Sequence, residues 1–285
     1  MAPTGSDPTV SVVITHRNRP EQLRAAVLSV QRQTRRPDEV LIVDDVSAPD
    51  VRRAIEDLSD VAKIHHNDRN LGPSGSRNAG LAEAAGQWVA FLDDDDLYLP
   101  ERLEKQLGYL RKNPDCEYLG SGAWGVSSGG TKEYWGERQT GPKDLREVLT
   151  RTAAIPSTVL ARKDVLIRSG GFPPKIRWLE DFELGIRLVA RGVGVHFLAE
   201  PLVLYRQGED DQATARGRRM LVSHLAIVFR YRALYCREFG LLGAWQMAAR
   251  VCRKRGRRAG LPGKVLWGLG HAVHRVIGDP MGPLD

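Results

Sequence analysis

Val89-Ala90-Phe91-Leu92 runs directly into Asp93-Asp94-Asp95-Asp96, an apolar strand that ends in four consecutive carboxylates. Four adjacent anions repel one another and add nothing to a core. Their place at the mouth of a buried strand points to a cation, or a metal-bound polyphosphate, held there. Open α/β sheets bind ligands at the carboxyl ends of their strands. A solvated acidic turn is the competing reading of the same residues.

Outward from this stretch, strands and helices alternate. Residues 10–15 read as a buried strand, and 20–33 as a helix with Leu23, Val27 and Val30 on one face and Pro20 in its first turn. Residues 40–43 form a second strand ending in Asp44-Asp45, 50–58 suit a short helix, and 62–65 a third strand. The Asn70-Leu71-Gly72-Pro73-Ser74-Gly75-Ser76 stretch reads as a loop, followed by a helix over 77–85 and the strand at 87–92. The order βαβαβαβ predicts an α/β fold with a Rossmann-type, mostly parallel central sheet covered by helices on both faces. Thr15, Asp44, Asp45 and Asp93 to Asp96 then converge on one crevice.

The chain has 285 residues, 42% hydrophobic and 27% charged, which is ordinary globular composition with ample length for a core. Cys116, Cys236 and Cys252 have neither disulfide-framework nor zinc spacing, so a reducing, cytoplasmic compartment is expected. Residues 1–9 lack a secretory pattern, and no apolar run is long enough to span a bilayer. The net charge of +7 is unevenly spread. From Gln212 onward 14 Lys and Arg stand against 3 Asp and Glu, so the tail invites an anionic partner while the body is mildly acidic.

The converging carboxylates suggest nucleotide diphosphate binding. An early carboxylate can accept from a base or sugar, while a later pair holds a divalent ion bridging phosphates. Neither G-x-x-x-x-G-K-[ST] nor G-x-G-x-x-G follows the first strand, so a metal must neutralise the phosphates.

Residues 11–15 (Ser-Val-Val-Ile-Thr), Arg19-Pro20, Val43-Asp44-Asp45, Asn70-x-Gly72, Arg77-Asn78-Ala79-Gly80, Phe91-Leu92-Asp93-x-Asp95-Asp96 and Glu180-Asp181 follow one another in the order and spacing of family-two glycosyltransferases. The resemblance covers roughly residues 9–210. It implies a GT-A-like fold and an inverting transferase that moves a sugar from a nucleotide diphosphate donor to an acceptor hydroxyl in polysaccharide, glycolipid or other glycoconjugate synthesis. Residues 1–100 would form the donor half, 101–211 the acceptor half and 212–285 a basic helical C-terminal extension.

By this resemblance Thr15 and Asp45 line the nucleobase pocket, Asp44 supports it or reaches the ribose, and Arg19 and Arg77 contact base and diphosphate. Asp93 and Asp95 match the DxD pair, with Asp95 the direct ligand of Mn²⁺ or Mg²⁺ and Asp93 on ribose or on the ion through water. Asp94 and Asp96 fall outside that shell. Asp181 becomes the catalytic base, its competing reading being a helix N-cap, and Leu184, Leu188 and Val189 of the following helix face the core. Glu180, Ser157, Thr158, the Gly170-Gly171-Phe172 turn and Trp178 fall on the acceptor side, where Trp124 and Trp135 are further stacking candidates. Where many relatives place a histidine metal ligand after Tyr205-Arg206, this chain continues Gln207-Gly208-Glu209-Asp210-Asp211-Gln212, a loop that closes over the donor or is merely solvated.

The expected partners are a nucleotide diphosphate sugar, with UDP-sugar favoured, and a saccharide or lipid-linked acceptor; no nucleic acid is expected. Leu241, Trp245, Ala248 and Cys252 lie at helical spacing, six cations occur between Arg250 and Arg258, and 265–277 reads as a second apolar helix. Such basic helices suit peripheral contact with the anionic inner membrane face, or a cap on the body. Two other classes remain open: a haloacid-dehalogenase-type phosphotransferase, whose D-x-D strand normally opens the chain, and a catalytically silent nucleotide-sugar or membrane-binding module. A sugar nucleotidyltransferase would need a Gly-rich, Arg-containing loop after the first strand, which is absent.

Overall fold

The computed structural model describes residues 8–127, 129–130, 132–176, 178–206 and 213–258, with side chains in the last stretch described for 219–244 and 246. The first half follows the alternation: β1 (Val10–His16), α1 (Pro20–Gln31), β2 (Glu39–Asp44), α2 (Pro49–Ala54), β3 (Lys63–His66), α3 (Gly72–Glu83) and β4 (Trp88–Asp93). Next come β5 (Leu97–Tyr98), α4 (Arg102–Lys112), β6 (Tyr118–Val126), β7 (Lys132–Trp135), β8 (Gly141–Pro142) and α5 (Leu145–Thr150). β9 (Leu160–Arg162), α6 (Lys163–Arg168), α7 (Glu180–Ala190) and β10 (Val195–Arg206) complete the sheet-bearing part, and α8 (Ala213–Arg230) and α9 (Arg232–Arg258) follow.

One mixed sheet runs in the order β3-β2-β1-β4-β9-β6-β10-β5, with β7 on β6 and β8 on β10. The β3-β2-β1-β4 run is parallel, as the alternation requires, and so is β6 with β10. The three-residue β9 is antiparallel to both β4 and β6 and joins the two parallel runs into one sheet. Nothing in three residues announces a strand, and its direction is set by tertiary pairing.

Period-two alternation sorts β1 between two helices. Val10, Val12 and Ile14 share a core cluster with Leu23, Ala26, Val27 and Val30 of α1. On α3, a Cβ built at Gly80 would lie 2.3 Å from Val13 and 3.1 Å from Val43, so this helix sits against β1 and β2 closely enough to exclude a methyl group. Gly80→Ala is therefore expected to cost about 2 kcal/mol through overpacking. A fall of several degrees in Tm by calorimetry checks it.

Helix α3 begins five residues before the expected start. Asp45 accepts from the backbone N–H of Leu71 at 2.8 Å and of Gly72 at 2.9 Å, satisfying donors that open the helix. Gly72 takes φ +69°, and Pro73 follows in the first turn, where its missing N–H costs nothing. A carboxylate just past the end of β2 thus turns a loop-like composition into helix.

The chain divides into two compact units, Met1–Glu209 and Asp210–Asp285. In the second, α8 and α9 pack on one another and α9 bends at Gly240, φ +72°. The backbone of α9 is helical through Trp245, Ala248 and Cys252, whose side chains lie outside the described residues, as do the expected 207–212 loop and 265–277 helix. No helix among the described residues is long and apolar enough to cross a membrane.

Candidate active site

The parallel strands deliver their carboxylates to one edge. Thr15 lies opposite Asp93 across β1 and β4, and His16 opposite Asp44 across β1 and β2. The Thr15 hydroxyl donates to Asp93 at 3.0 Å. The four carboxylates are spread over several partners, Arg77 on Asp93, His16 on Asp94, Ser157 on Asp96, and Arg19 shared between Asp94 and Asp95.

Asp93 is held by Arg77, whose Nη2 lies 2.7 and 2.8 Å from its two oxygens, while Nη1 donates to Glu180 at 3.1 Å. The Arg77 side chain is 3% exposed. Burial opposes its charge, but Asp93 and Glu180 outweigh that and hold the guanidinium above its ordinary range. Arg77 thereby ties the end of β4 to the start of α7, whose Glu180 is 103 residues from Arg77 in sequence.

Asp94 is buried and held by His16, Arg17 and Arg19. Its Oδ2 is 2.9 Å from His16 Nδ1 and accepts from Arg17 N at 3.2 Å; its Oδ1 is 3.2 Å from Arg19. Arg19 also pairs with Asp95. Burial first, then Asp93 and Asp94, push the Asp95 carboxyl up against the pull of Arg19. Asp96 is buried between the Ser157 hydroxyl at 2.5 Å and Arg206 N at 2.9 Å, with its carboxyl raised by burial and then by Asp93.

The β2 pair is equally committed. Asp44 is fully buried and accepts from Arg52 at 2.8 Å and Ser47 N at 3.1 Å, with His66 Nδ1 3.0 Å away. Burial opposes its charge, and the Ser47, His66 and Arg52 interactions prevail and lower its pKa. Such an Asp44 supports the turn from within. Asp45 adds Asn67 at 3.0 Å to its two α3 donors.

Asp181 stands in the first turn of α7, next to Glu180. The N-cap position belongs to Leu179, so Asp181 is not the cap; its Oδ1 accepts from Phe182 N at 2.8 Å. Burial, followed by the neighbouring charge of Glu180, pushes its carboxyl up to about 7. That is the range a general base needs at neutral pH. In α7, Leu184 and Leu188 are buried as expected and Val189 is half-buried.

Ser157 and Thr158 are buried and do scaffold work: the Ser157 hydroxyl accepts from Asp93 N at 3.1 Å, and Thr158 O accepts from Gln106. The Gly-Gly-Phe turn is clamped by Asn78, which exchanges two hydrogen bonds of 2.8 Å with the Phe172 backbone. Gly171 takes φ +63°, and a Cβ there would meet Asn78 at 2.4 Å. The Phe172 ring packs edge-on against Phe91 and beneath Arg77. Trp124 packs against Tyr134, Trp135 against Tyr205 with 41% of its surface exposed, and Trp178 is half-buried.

Among the described residues, the three non-glycine residues with positive φ are Asn18, Val46 and Leu179. They fall beside Arg19, Asp45 and Glu180. Each costs roughly 1–3 kcal/mol, and such strain collects where a site dictates the backbone. Asn18 N donates to Ser47, and the Asn18 side chain accepts from Ala48 N, so the two loops hold each other.

Residues 11–169 match the family described as Glycosyl transferase family 2. The chain belongs to that family. This family 2 glycosyltransferase is 27% identical over 224 residues to the amylovoran biosynthesis glycosyltransferase AmsE of Erwinia amylovora, covering 77% of this chain and 83% of that one. Its fold is similar to S. aureus TarS 1–349 crystallised with UDP-GlcNAc, with TM-score 0.62 and 17% identity over 95% of this chain and 90% of that one. It spans 53% of the longer TarS chain. It is also similar to the mannosyltransferase PcManGT of Pyrobaculum calidifontis with GDP-Man and Mn²⁺, with TM-score 0.58 and 20% identity over 95% of this chain and 81% of that one.

The oxygen donors at this edge are of the chemical type a hard divalent ion takes. Asp93 and Asp95 offer carboxylate oxygens, the type Mg²⁺ and Mn²⁺ prefer. The Asp95 carboxyl is raised by burial first and only then by Asp93 and Asp94, with Arg19 pulling against them. Among the described residues no group of three or more His, Cys, Asp or Glu side chains converges to hold a metal; both Asp93 oxygens are held by Arg77, and Asp95 is paired with Arg19.

His16, Asn67 and Arg206 were given no role from the sequence, and Asn78 entered there only within the Arg77-Asn78-Ala79-Gly80 motif. His16 at the carboxyl end of β1 had a positional signal. The others act through contacts that no local pattern encodes.

Proposed function

We propose that this family 2 glycosyltransferase is an inverting enzyme that transfers a hexose from a nucleotide diphosphate sugar, with UDP-sugar favoured, to a hydroxyl of a saccharide or lipid-linked acceptor in polysaccharide or glycoconjugate synthesis. The observation that carries the reading is Asp181. Its carboxyl titrates near neutrality at the head of α7, beside a Glu180 tied through Arg77 to the donor-side Asp93. Residues 1–100 act as the donor half and 101–211 as the acceptor half; the basic 212–285 extension brings the cytoplasmic enzyme to the membrane when the acceptor is lipid-linked.

The acceptor oxygen attacks the anomeric carbon from the face opposite the leaving diphosphate, and Asp181 takes its proton as the new C–O bond forms. Asp45 and Thr15 flank the base, with Asp44 fixing their turn. Arg19, 45% exposed, can swing from Asp95 to the diphosphate as charge grows on the leaving group. Asp95, with Asp93, would hold Mn²⁺ or Mg²⁺, which supplies Lewis-acid stabilisation of that diphosphate.

The test is a titration of UDP, GDP, dTDP and CMP sugars with Mn²⁺, Mg²⁺ or chelator, followed by thermal shift and calorimetry. One nucleotide class should bind in a metal-dependent way. Asp95→Ala is expected to weaken that binding about tenfold or more while leaving the metal-free affinity unchanged. Equal wild-type binding with metal and with chelator overturns the role of Asp95.

A further inference from the structure

The three most exposed large apolar side chains among the described residues lie in the C-terminal unit: Leu241 at 75%, Phe229 at 70% and Val222 at 67%. On α8, Leu221, Ile227 and Val228 are buried, whereas Val222, Ala226 and Phe229 recur at i, i+4 and i+7 on a separate, outward face. Cations border that stripe. Arg219 is one turn before Val222, and Arg232 lies 4.9 Å over the Phe229 ring while donating to the Phe229 carbonyl. Just past the Gly240 bend, Leu241 and Leu242 are exposed on α9, the helix that carries the six cations from Arg250 to Arg258.

From 213 to 258 the sequence has 12 Lys and Arg and a single acid, Glu238. Two copies of such a surface repel each other, which disfavours self-association through this face. A nucleic acid would use the cations and leave the apolar stripe in water. An anionic bilayer surface satisfies both, since apolar side chains enter the acyl boundary while arginines stay with the headgroup phosphates. No described helix is apolar enough to span, so the contact is peripheral.

We propose that the Val222-Ala226-Phe229 face of α8, with Leu241 and Leu242 of α9 and the arginines around them, is an interfacial docking surface for an anionic lipid leaflet. The surface deepens the membrane-acceptor part of the proposed function and rests on that reading for its purpose, though not for its binding. The full chain should co-sediment with phosphatidylcholine vesicles containing about 30% phosphatidylglycerol, bind pure phosphatidylcholine at least about tenfold less, and lose several-fold in partition when salt rises from about 0.15 to 0.5 M.

Phe229→Glu should lower the anionic-vesicle partition at least about tenfold, and the milder Phe229→Ser and Leu241→Ser by several-fold, with nucleotide-sugar binding unchanged in all three. Unchanged donor binding separates failure of this surface from failure of the transferase reading. Three results overturn the proposal: equal binding to neutral and anionic vesicles, wild-type partition in all three variants, or a wild-type dimer that Phe229→Ser dissociates without altering vesicle binding. Retention on duplex DNA with no anionic-vesicle binding overturns it as well.

Discussion

Asp181→Asn is expected to lower kcat by roughly 10³-fold, within the range general-base removal produces, while donor affinity stays within about twofold of wild type. The asymmetry follows from geometry. Glu180, not Asp181, is the carboxylate tied to Arg77, so an amide at 181 keeps the Asp93–Arg77–Glu180 connection intact. In the proposed mechanism it removes only the group that receives the acceptor proton. The wild-type pH profile supplies a second readout. In the proposed role Asp181 works as the carboxylate, and its pKa is raised to about 7, so kcat/KM should rise with pH through neutrality and fall about tenfold per unit below it. Glu180 lies next to it, Arg77 lies close enough to pull the value down, and the buried Tyr118 phenol of β6 is itself shifted up, by burial first and then by Asp181. Asp181→Asn should flatten the ascending limb. A variant that transfers sugar at the wild-type rate, or keeps the same limb, removes Asp181 from the chemistry.

How far the sequence alone could reach is visible in particular residues. The Val89–Asp96 stretch announced both a buried strand and a ligand edge, because apolar continuity and adjacent anions are local properties. Residues Val10 to Ile14 and 40–43 behaved likewise, and their parallel order followed from the intervening helices. What stayed hidden was pairing across distance. β9 is too short to carry a pattern, and its antiparallel direction comes from lying between β4 and β6. The early start of α3 depends on Asp45, 27 residues before Gly72. The distribution of the four carboxylates among Arg77, His16, Arg19 and Ser157 could not be read from their adjacency. Sequence reading saw a concentrated charge, and folding had already divided it. The part of the site beyond Ser169 also falls outside the matched family segment, so there the geometry carries more of the argument than the likeness does.

Arg77→Met should have the largest structural effect, and it tests whether the two sides of the site are physically joined. The side chain is buried, spans Asp93 and Glu180, and leaves two carboxylates facing each other when its charge is removed. Breaking a buried ion pair from one side costs about 3–5 kcal/mol, because the remaining charges lose their partner without regaining water. At about 2–4 °C per kcal/mol for a chain of this size, Tm should fall by roughly 10 °C. Arg77→Lys should recover part of that stability, since a single ammonium restores charge but cannot fork between two carboxylates. The decisive comparison is Arg77→Met/Glu180→Gln. With one of the stranded charges neutralised, the double variant should be more stable than Arg77→Met alone by more than 1 kcal/mol, roughly, a coupling that independent sites would not show. The pH limb gives the functional counterpart. Arg77 lowers the pKa of Asp181, so its loss should move the limb of residual activity to higher pH, whereas Glu180→Gln alone, by removing the neighbouring anion, should move it lower. Opposite shifts from the two partners of one ion pair would identify Arg77 and Glu180 as positioning residues that set the charge of the base. Shifts in the same direction would reduce the pair to scaffolding.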